Sequence, residues 1–530
     1  MSQYSNTTPK GCDSPSVTME KGRYRMRAPA APPDSPRNPL KQPVSGRPRG
    51  RNIGGVSSLM AALVVLLALS CLASFGFAYY LFTTRWDARN NLRNPADDNV
   101  QVVPFDSFQR SSRESHPSEK FLSYLPHSGL HNQRIALENA IVLGALTNRT
   151  VLVPPIRLGS KPLRYVRSDS LRRDLSTSGK TGLRHCSQIR SQFLPPECFD
   201  YFDYTHISPA WLFDLSALNG FPPLIYLDDF SSSSILDLAM PDIYTLRDLT
   251  AYHHRFIDTT HNSSSKYNES IYIPDLAQYP HRLLEIGTLF GSSRLGLRDT
   301  GNRMLRTRVR RCMDFSDPQL ANTADAIAKA IGGRYLGAHV RLGDGSFKSN
   351  GQVVLRQVWW KLVHEILQFN LSEASHVEQT FRVFPTPMSV EPVANIASWN
   401  DSRPLFGFST GNLRCRGHRH ISSHLLRLNT PLFISTDMKN AASDPSFSGF
   451  LRTFPCVFFL SDFAVHLQRL ERLRNGYDGT PMMPFLLPLL DAMIVGRAWV
   501  VAGTDGSTFS QFIHDVLWTK NHGKDIVERG

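Results

Sequence analysis

The stretch Ala498-Trp499-Val500-Val501-Ala502-Gly503-Thr504-Asp505-Gly506-Ser507-Thr508-Phe509-Ser510 decides how this chain is read. An apolar run leads into a turn with two glycines, and Gln511-Phe512-Ile513-His514-Asp515-Val516-Leu517 then opens a helix. Strand, glycine turn and helix start together present free backbone N–H groups to an anion. Ser507 and Thr508 add hydroxyl donors at that point. A phosphate-bearing ligand is one reading. A Ser/Thr N-cap that merely starts the helix is the other.

The chain has 530 residues, room for two sizeable domains beyond a tail and an anchor. Its formal net charge is +14. Half of that lies in residues 1–52, where ten Lys and Arg face three Asp and Glu in a Pro-rich stretch poor in large apolar side chains. Such a segment cannot bury a core and is expected to be a disordered, cytosolic tail. No basic stretch interleaved with aromatics stands out, so nucleic acid is not an expected partner. From Ile53 to Phe82 there is no charged residue, which suits a bilayer-spanning helix of about 20 apolar residues. Residues 53–84 are therefore assigned as a transmembrane anchor, with Tyr79, Tyr80, Arg85 and Trp86 as its interfacial belt. The basic region before the span is too long for a cleaved signal peptide. Positive charge is heavier on that side, so a type II topology is expected, with the C-terminal bulk in the lumen of the ER or Golgi.

The rest of the sequence fits that address. Sequons begin at Asn148, Asn262, Asn268, Asn370 and Asn400. Beyond the anchor lie Cys186, Cys198, Cys312, Cys415 and Cys456, an odd number. At least one thiol stays unpaired within the chain, and Cys186–Cys198 is the expected disulfide. No Cys/His spacing resembles a zinc site.

Residues 85–118 are polar and read as a stem. Order is expected from there. Strand-like Phe121–Leu125, a helical pattern from Ile135 to Leu146 and the strand Val151–Val153 make a strand–helix–strand unit. This opens a first α/β domain over residues 119–318, whose middle from Arg157 to Arg310 resists reading. A second α/β domain spans 319–530. Its expected strands are Tyr335–Val340, Leu432–Ser435, Val457–Leu460 and the Trp499 run; helices end at Ile331, cover Val358–Leu367 and run from Pro484 to Gly496; residues 372–420 look like an insertion. Two such domains in series create a cleft, and ligands of open α/β sheets sit beyond the carboxyl ends of the strands.

Four segments fall there. They are Ser128-Gly129-Leu130-His131-Asn132-Gln133-Arg134, His339-Val340-Arg341-Leu342-Gly343-Asp344, Ser435-Thr436-Asp437, and Asp491 together with the 503–510 turn. Their order and wording resemble the GDP-fucose protein O-fucosyltransferases and the wider fucosyltransferase superfamily. Gly129, Asn132 and Gln133, then Leu146, Asn148, Arg149, Thr150, Pro154 and Pro155, are similar to one family pattern; His339, Arg341 and Gly343 to a second; Asp491, Ala498, Gly503, Ser507, Thr508 and Phe509 to a third. The likeness covers about residues 119–520, without the middle third or the insertion. It implies an α/β, GT-B-like fold of two Rossmann-like domains with a cleft between them. It also implies GDP-fucose as donor substrate, with no metal and no other cofactor. The sequence agrees in lacking an Asp-x-Asp motif after an apolar strand; Asp228-Asp229 is the nearest acidic pair.

The chemistry accounts for the residue types. Breaking a fucosyl–phosphate bond leaves negative charge on the diphosphate and positive character on the sugar. The resemblance assigns the neutralising cation to Arg341, whose guanidinium fork suits phosphate better than Lys does. Gly129, Asn132, His339, Arg341, Asp491, Ser507, Thr508 and Phe509 form the expected donor-binding set, with Arg341, Asn132 and His131 catalytic. Asn132 would orient the acceptor hydroxyl or the leaving phosphate. His131 is a candidate base, Glu138 is structural or catalytic, and the base stays unassigned. The expected acceptor is a hydroxyl of a secreted protein or of a glycan. Two alternatives stand beside this: the same fold with another nucleotide sugar, and a non-catalytic luminal scaffold.

Overall fold

The computed structural model describes residues 60, 62–76, 101–104 and 118–527, apart from 160, 181, 190–193, 219–220, 231–241, 261–265, 344 and 385–412. The tail, the ends of the expected span, most of the stem, Asp344, the core of the 372–420 insertion and the sequons at Asn262 and Asn400 lie outside the described residues. The chain divides into two units, Met1–Leu81 and Phe82–Gly530. In the first, residues 62–76 are helical and exposed. No helix among the described residues is long and apolar enough to cross a membrane.

The second unit is an α/β structure built on two parallel sheets. The first sheet contains β1 (Phe121–Tyr124), β2 (Thr150–Val153), β3 (Leu224–Tyr226), β4 (Ile243–Leu246) and β5 (Leu283–Ile286), in the order β3-β2-β1-β5-β4. The second contains β6 (Leu336–Val340), β7 (Leu432–Thr436), β8 (Val457–Phe458) and β9 (Val500–Gly503), in the order β8-β7-β6-β9. Every pairing in both is parallel. Parallel strands buried on both faces read as near-continuous apolar runs, and all of β1, β2 and β6 is buried.

Helix α1 (Leu130–Thr147) returns from β1 to β2 and ends at Asn148, which adopts the left-handed conformation (φ 51°, ψ 52°). Asparagine tolerates that backbone better than most residues. Wholly buried Arg149 then donates to the carbonyls of Phe121 (3.3 Å), His281 (2.9 Å) and Tyr279 (2.8 Å). The Thr150 hydroxyl donates to Glu119 at 2.7 Å. The Asn-Arg-Thr of the first motif is thus a helix stop and a strand brace. Helices α2 (Thr300–Arg311) and α3 (Pro318–Ile331) lead to β6, the latter capped by Asp317, which accepts from the Gln319 and Leu320 amides at 3.0 Å. Helix α4 (Gly351–Trp360) follows β6 and continues as a π-helical stretch, Lys361–Ile366. Helix α5 (Met483–Gly496) precedes β9, and α6 (Thr508–Phe512) follows it, extended by π-helical Ile513–Trp518.

One apolar cluster runs from Leu122, Ala140 and Ile141 through Phe315 and Ile327 to Leu489, Phe512 and Val516, so the halves share a core. A second seam is polar. Lys180 pairs with Asp478 at 2.6 Å with both side chains 1 % exposed, and Asp478 also accepts from Thr205 (2.8 Å) and Thr480 (2.7 Å). Inside the expected stem, Gln101–Val103 forms a strand parallel to Leu473–Asn475, with Val103 buried. The first half's middle, unread in sequence, holds a three-stranded parallel sheet of Leu295–Gly296, His254–Ile257 and Glu269–Tyr272. Disulfides join Cys186 to Cys198, as expected, and Cys415 to Cys456. Cys312 is a buried free thiol.

Arg149→Met keeps the apolar stem and deletes the donors to three carbonyls. We expect a loss of about 3 kcal/mol in unfolding free energy, read as a lower urea midpoint at unchanged slope.

Candidate functional site

The site is built outward from the carboxyl end of β6. Register pairs His339 with Ser435 on one side and with Gly503 on the other. His339 is buried, its Nδ1 lies 2.6 Å from the Ser510 hydroxyl, and its ring meets Phe509 edge-on at 5.2 Å. Burial, then the charge of Arg341, lowers its pKa to about 3. Two residues on, Arg341 is held through its backbone, whose N–H donates to Thr504 Oγ1 at 3.0 Å. The same hydroxyl donates to the His339 carbonyl at 3.2 Å. Strand end and turn are therefore laced together by Thr504 and Ser510.

Two glycines make room for this. A Cβ at Gly503 would lie 2.8 Å from Ser510 Cβ. At Gly343 it would lie 2.7 Å from Asp437 Oδ2, and the Asp437 carboxylate accepts from the Leu342 (2.8 Å) and Gly343 (2.9 Å) amides. Asp437 thus shapes the backbone that carries Arg341.

At the turn, Ser507 caps α6, its hydroxyl accepting from the Ser510 N–H at 3.3 Å. The capping reading is correct for that side chain. The Thr508 and Phe509 amides occupy the first two helical positions, where a helix supplies no acceptor of its own. Thr508 is exposed and Phe509 half-buried. Lys361, from the π-helical stretch after α4, donates to the Gly503 carbonyl at 3.2 Å and pairs with Asp505.

The opposite wall is the N-terminus of α1. Gly129 is its N-cap residue, exposed, and Gln133 clips the turn by donating to Ser128 (3.0 Å) and Arg157 (2.8 Å) carbonyls. Asn132 is half-buried on this turn. His131 lies 5.2 Å from the Phe512 ring and 5.9 Å from Phe509. Arg134 stacks its guanidinium 4.6 Å over Phe512, and its Nε donates to His131 Nδ1 at 3.4 Å. Behind it, the Glu138 carboxylate accepts from Arg134 (3.1 Å) and twice from Arg310 (2.7 and 3.0 Å). Burial opposes ionisation of Glu138, but the two guanidiniums outweigh it and hold the carboxyl below its usual range. His131 is pushed well below the usual imidazole range by burial, then by Arg134, Arg310, Arg341 and His339.

His131, His339, Arg341, Phe509 and the start of α6 are thus brought to one junction. Asp491 faces Ser435 on β7. Its Oδ1 is buried without a hydrogen-bond partner, and burial lifts the carboxyl well above its usual range against the pull of Ser435. It is not a solvated helical aspartate. Glu138 is structural. Sequence reading missed Arg310, Lys361, Thr504 and Ser510; the last two stood inside the deciding stretch, where their hydroxyls look interchangeable with those of Ser507 and Thr508. Among the described residues the chemistry available is anion binding by Arg341 and helix-start amides, beside neutral imidazoles.

No family model matches the chain. A curated relative, O-fucosyltransferase 30 of Arabidopsis thaliana, is 43% identical over 58 residues, which is 10% of this chain and 11% of that protein. The chain therefore matches only about a tenth of the length of this relative. Among solved structures, POFUT1 in complex with GDP-fucose aligns at 9% identity over 74% of this chain and 99% of that one, with a TM-score of 0.31. POFUT1 without ligand aligns at 10% over 78% and 98%, with a TM-score of 0.33.

His339 binds its proton more weakly in the folded chain than in the unfolded one, where about 6.5 is usual. Its contribution to stability is complete above that value and drains as pH falls toward about 3. Between pH 7 and 5 it accounts for a loss of about 2 kcal/mol. His339→Gln should flatten the pH dependence of unfolding free energy by that amount; parallel curves would refute the assignment. Gly343→Ala should break the Asp437 clamp, costing about 1–3 kcal/mol, measured by denaturant unfolding.

Proposed function

We propose that the chain is a GT-B-type glycosyltransferase that moves fucose from GDP-fucose to a hydroxyl of a protein or glycan in the secretory pathway, with inversion and without a metal at the reacting bond. The observation that carries this is the meeting of Arg341, His339, His131 and the start of α6 at the carboxyl end of β6, facing the N-terminus of α1. The short likeness to a plant protein named as an O-fucosyltransferase points the same way. An oxidising luminal address, with anchorage through residues 53–84, is part of the proposal; the two cystines and the uncharged run support it.

In the reaction the acceptor oxygen attacks the anomeric carbon from the face opposite the diphosphate, the C–O bond to phosphate breaks, and its electron pair leaves with GDP. Arg341 neutralises that charge in a fixed position. The Thr508 and Phe509 amides, aimed out of the helix start, donate to the same phosphates. His131 Nδ1 accepts from Arg134, so the ring carries its proton on Nε2 and acts as a donor, with surrounding cations disfavouring the imidazolium that a base would become. The acceptor proton then passes to the leaving diphosphate. Asn132 orients the acceptor hydroxyl, and Asp491, whose carboxyl burial lifts well above its usual range against the pull of Ser435, contacts the nucleotide.

Thermal shift and turnover of the full-length protein with GDP-fucose, GDP-mannose and UDP-sugars test this. Stabilisation by GDP-fucose with slow GDP release is expected. Arg341→Ala should fold with an unchanged ligand-free midpoint and lose roughly 100- to 1,000-fold in turnover. A well-folded protein indifferent to every GDP ligand would sink the donor assignment.

A further inference from the structure

The turn after β9 carries an acid beside the place where an anion is expected to bind. Thr504–Ser507 closes on itself, the Ser507 N–H donating to the Thr504 carbonyl at 3.3 Å. Gly506 takes a φ of 71° inside that turn, a backbone that favours glycine. Asp505 stands at the corner and is exposed. Its chain neighbour Thr504 is the residue whose hydroxyl accepts the Arg341 N–H at 3.0 Å. Asp505 and Arg341 are thus carried on backbone joined through one threonine. An uncompensated carboxylate there would repel a diphosphate.

Lys361 answers that charge from another element. It is the first residue of the π-helical stretch Lys361–Ile366, which continues α4 and packs against β9. Such stretches are rare and occur frequently at functional sites. Leu362 and Val363 are fully buried in the apolar cluster of the second sheet, and the Leu367 N–H closes the stretch onto the Leu362 carbonyl at 2.9 Å. That burial fixes which way the stretch faces, and half-buried Lys361 is held against the turn. Its Nζ donates to the Gly503 carbonyl at 3.2 Å and to a carboxylate oxygen of Asp505. Glu365, exposed four residues on, also feels the Lys361 charge, but it lies on the stretch and not on the turn.

We propose that Lys361 is a positioning residue for anion binding at the junction: it ties the Gly503 carbonyl to Asp505 and cancels the Asp505 charge, so that a diphosphate approaching Arg341 meets no uncompensated carboxylate. The role rests on reading the junction as a diphosphate site. Lys361 acts through Asp505 and the turn, not by touching the phosphates. An ion pair open to solvent adds little to stability, so the effect falls on the ligand. A lysine that only braced the fold would behave differently. Its loss would lower the thermal midpoint, and removing the Asp505 charge would not restore anion binding.

Calorimetric titration of the full-length protein with sodium pyrophosphate and with GDP, at fixed ionic strength, tests this. Lys361→Met should weaken both anions by roughly 3- to 10-fold and keep a ligand-free thermal midpoint close to that of the wild type. Asp505→Asn alone should bind them at least as tightly as the wild type does. The double variant should return to within about twofold of the wild type, the non-additivity expected of a coupled pair. Lys361→Arg should bind like the wild type, and added sodium chloride should narrow the gap left by Lys361→Met. A double variant no better than Lys361→Met, or a Lys361→Met protein that binds like the wild type, overturns the proposal. So does a wild type that binds neither anion. The expected pattern with pyrophosphate, in a protein indifferent to GDP-fucose, would support the positioning role and defeat the donor reading alone.

Discussion

Glu138 sits between two guanidiniums, and the candidate site depends on that arrangement. Arg134 reaches it from one turn earlier in α1, Arg310 from α2, and all three side chains are at most 10 % exposed. Burying an ion pair gains little in itself, because desolvation consumes most of the attraction. What the trio does is fix geometry: it binds α1 to α2 and leaves one positive charge in excess at the seam. That excess faces His131 and the Phe512 ring, so an anion entering the junction meets a cation whose desolvation cost was met during folding. Without Glu138, both guanidiniums would lose the carboxylate they share.

The same seam explains why two sheets that look like separate domains share an apolar cluster. Phe512 belongs to the helix after β9, yet it carries Arg134 on its face and packs near Phe315 at 5.5 Å. Phe509 touches both histidines, His131 from one half and His339 from the other. The helix that starts at the glycine turn therefore serves as a wall of the site and as part of the core. Its first turn is anchored by Ser510, whose hydroxyl and Cβ leave no space for a side chain at Gly503.

Much of this was legible in sequence because parallel strands buried on both sides advertise themselves, and because turns after such strands carry the polar residues. β1, β2, β6, β7 and β9 fell within a residue or two of where the apolar runs put them, whereas the helices after β1 and β6 begin five and seven residues earlier than expected. The motif residues were less transparent. Gln133, Asn148 and Arg149 are scaffold, bonding to backbone that sequence cannot locate. Asp437 and Thr504 act through amides and carbonyls of another strand. Arg310 looks like one of several basic residues at the end of α2 until its partner, far away in sequence, is seen. The middle of the first half was opaque for a related reason: its strands are two to four residues long, too short for a period, and each exists only because a neighbouring strand completes its ladder.

The left-handed stop at Asn148 bears on timing. Asn148-Arg149-Thr150 is a sequon, yet Arg149 is wholly enclosed and the Thr150 hydroxyl is occupied by Glu119. An enzyme that must draw this tripeptide into its own active site can do so only while the strand is unpaired. Were the chain to enter the secretory pathway as proposed, glycan attachment there would compete with the docking of β2 beside β1. Occupancy at Asn148 would then record how quickly the first sheet closes behind the translocating chain.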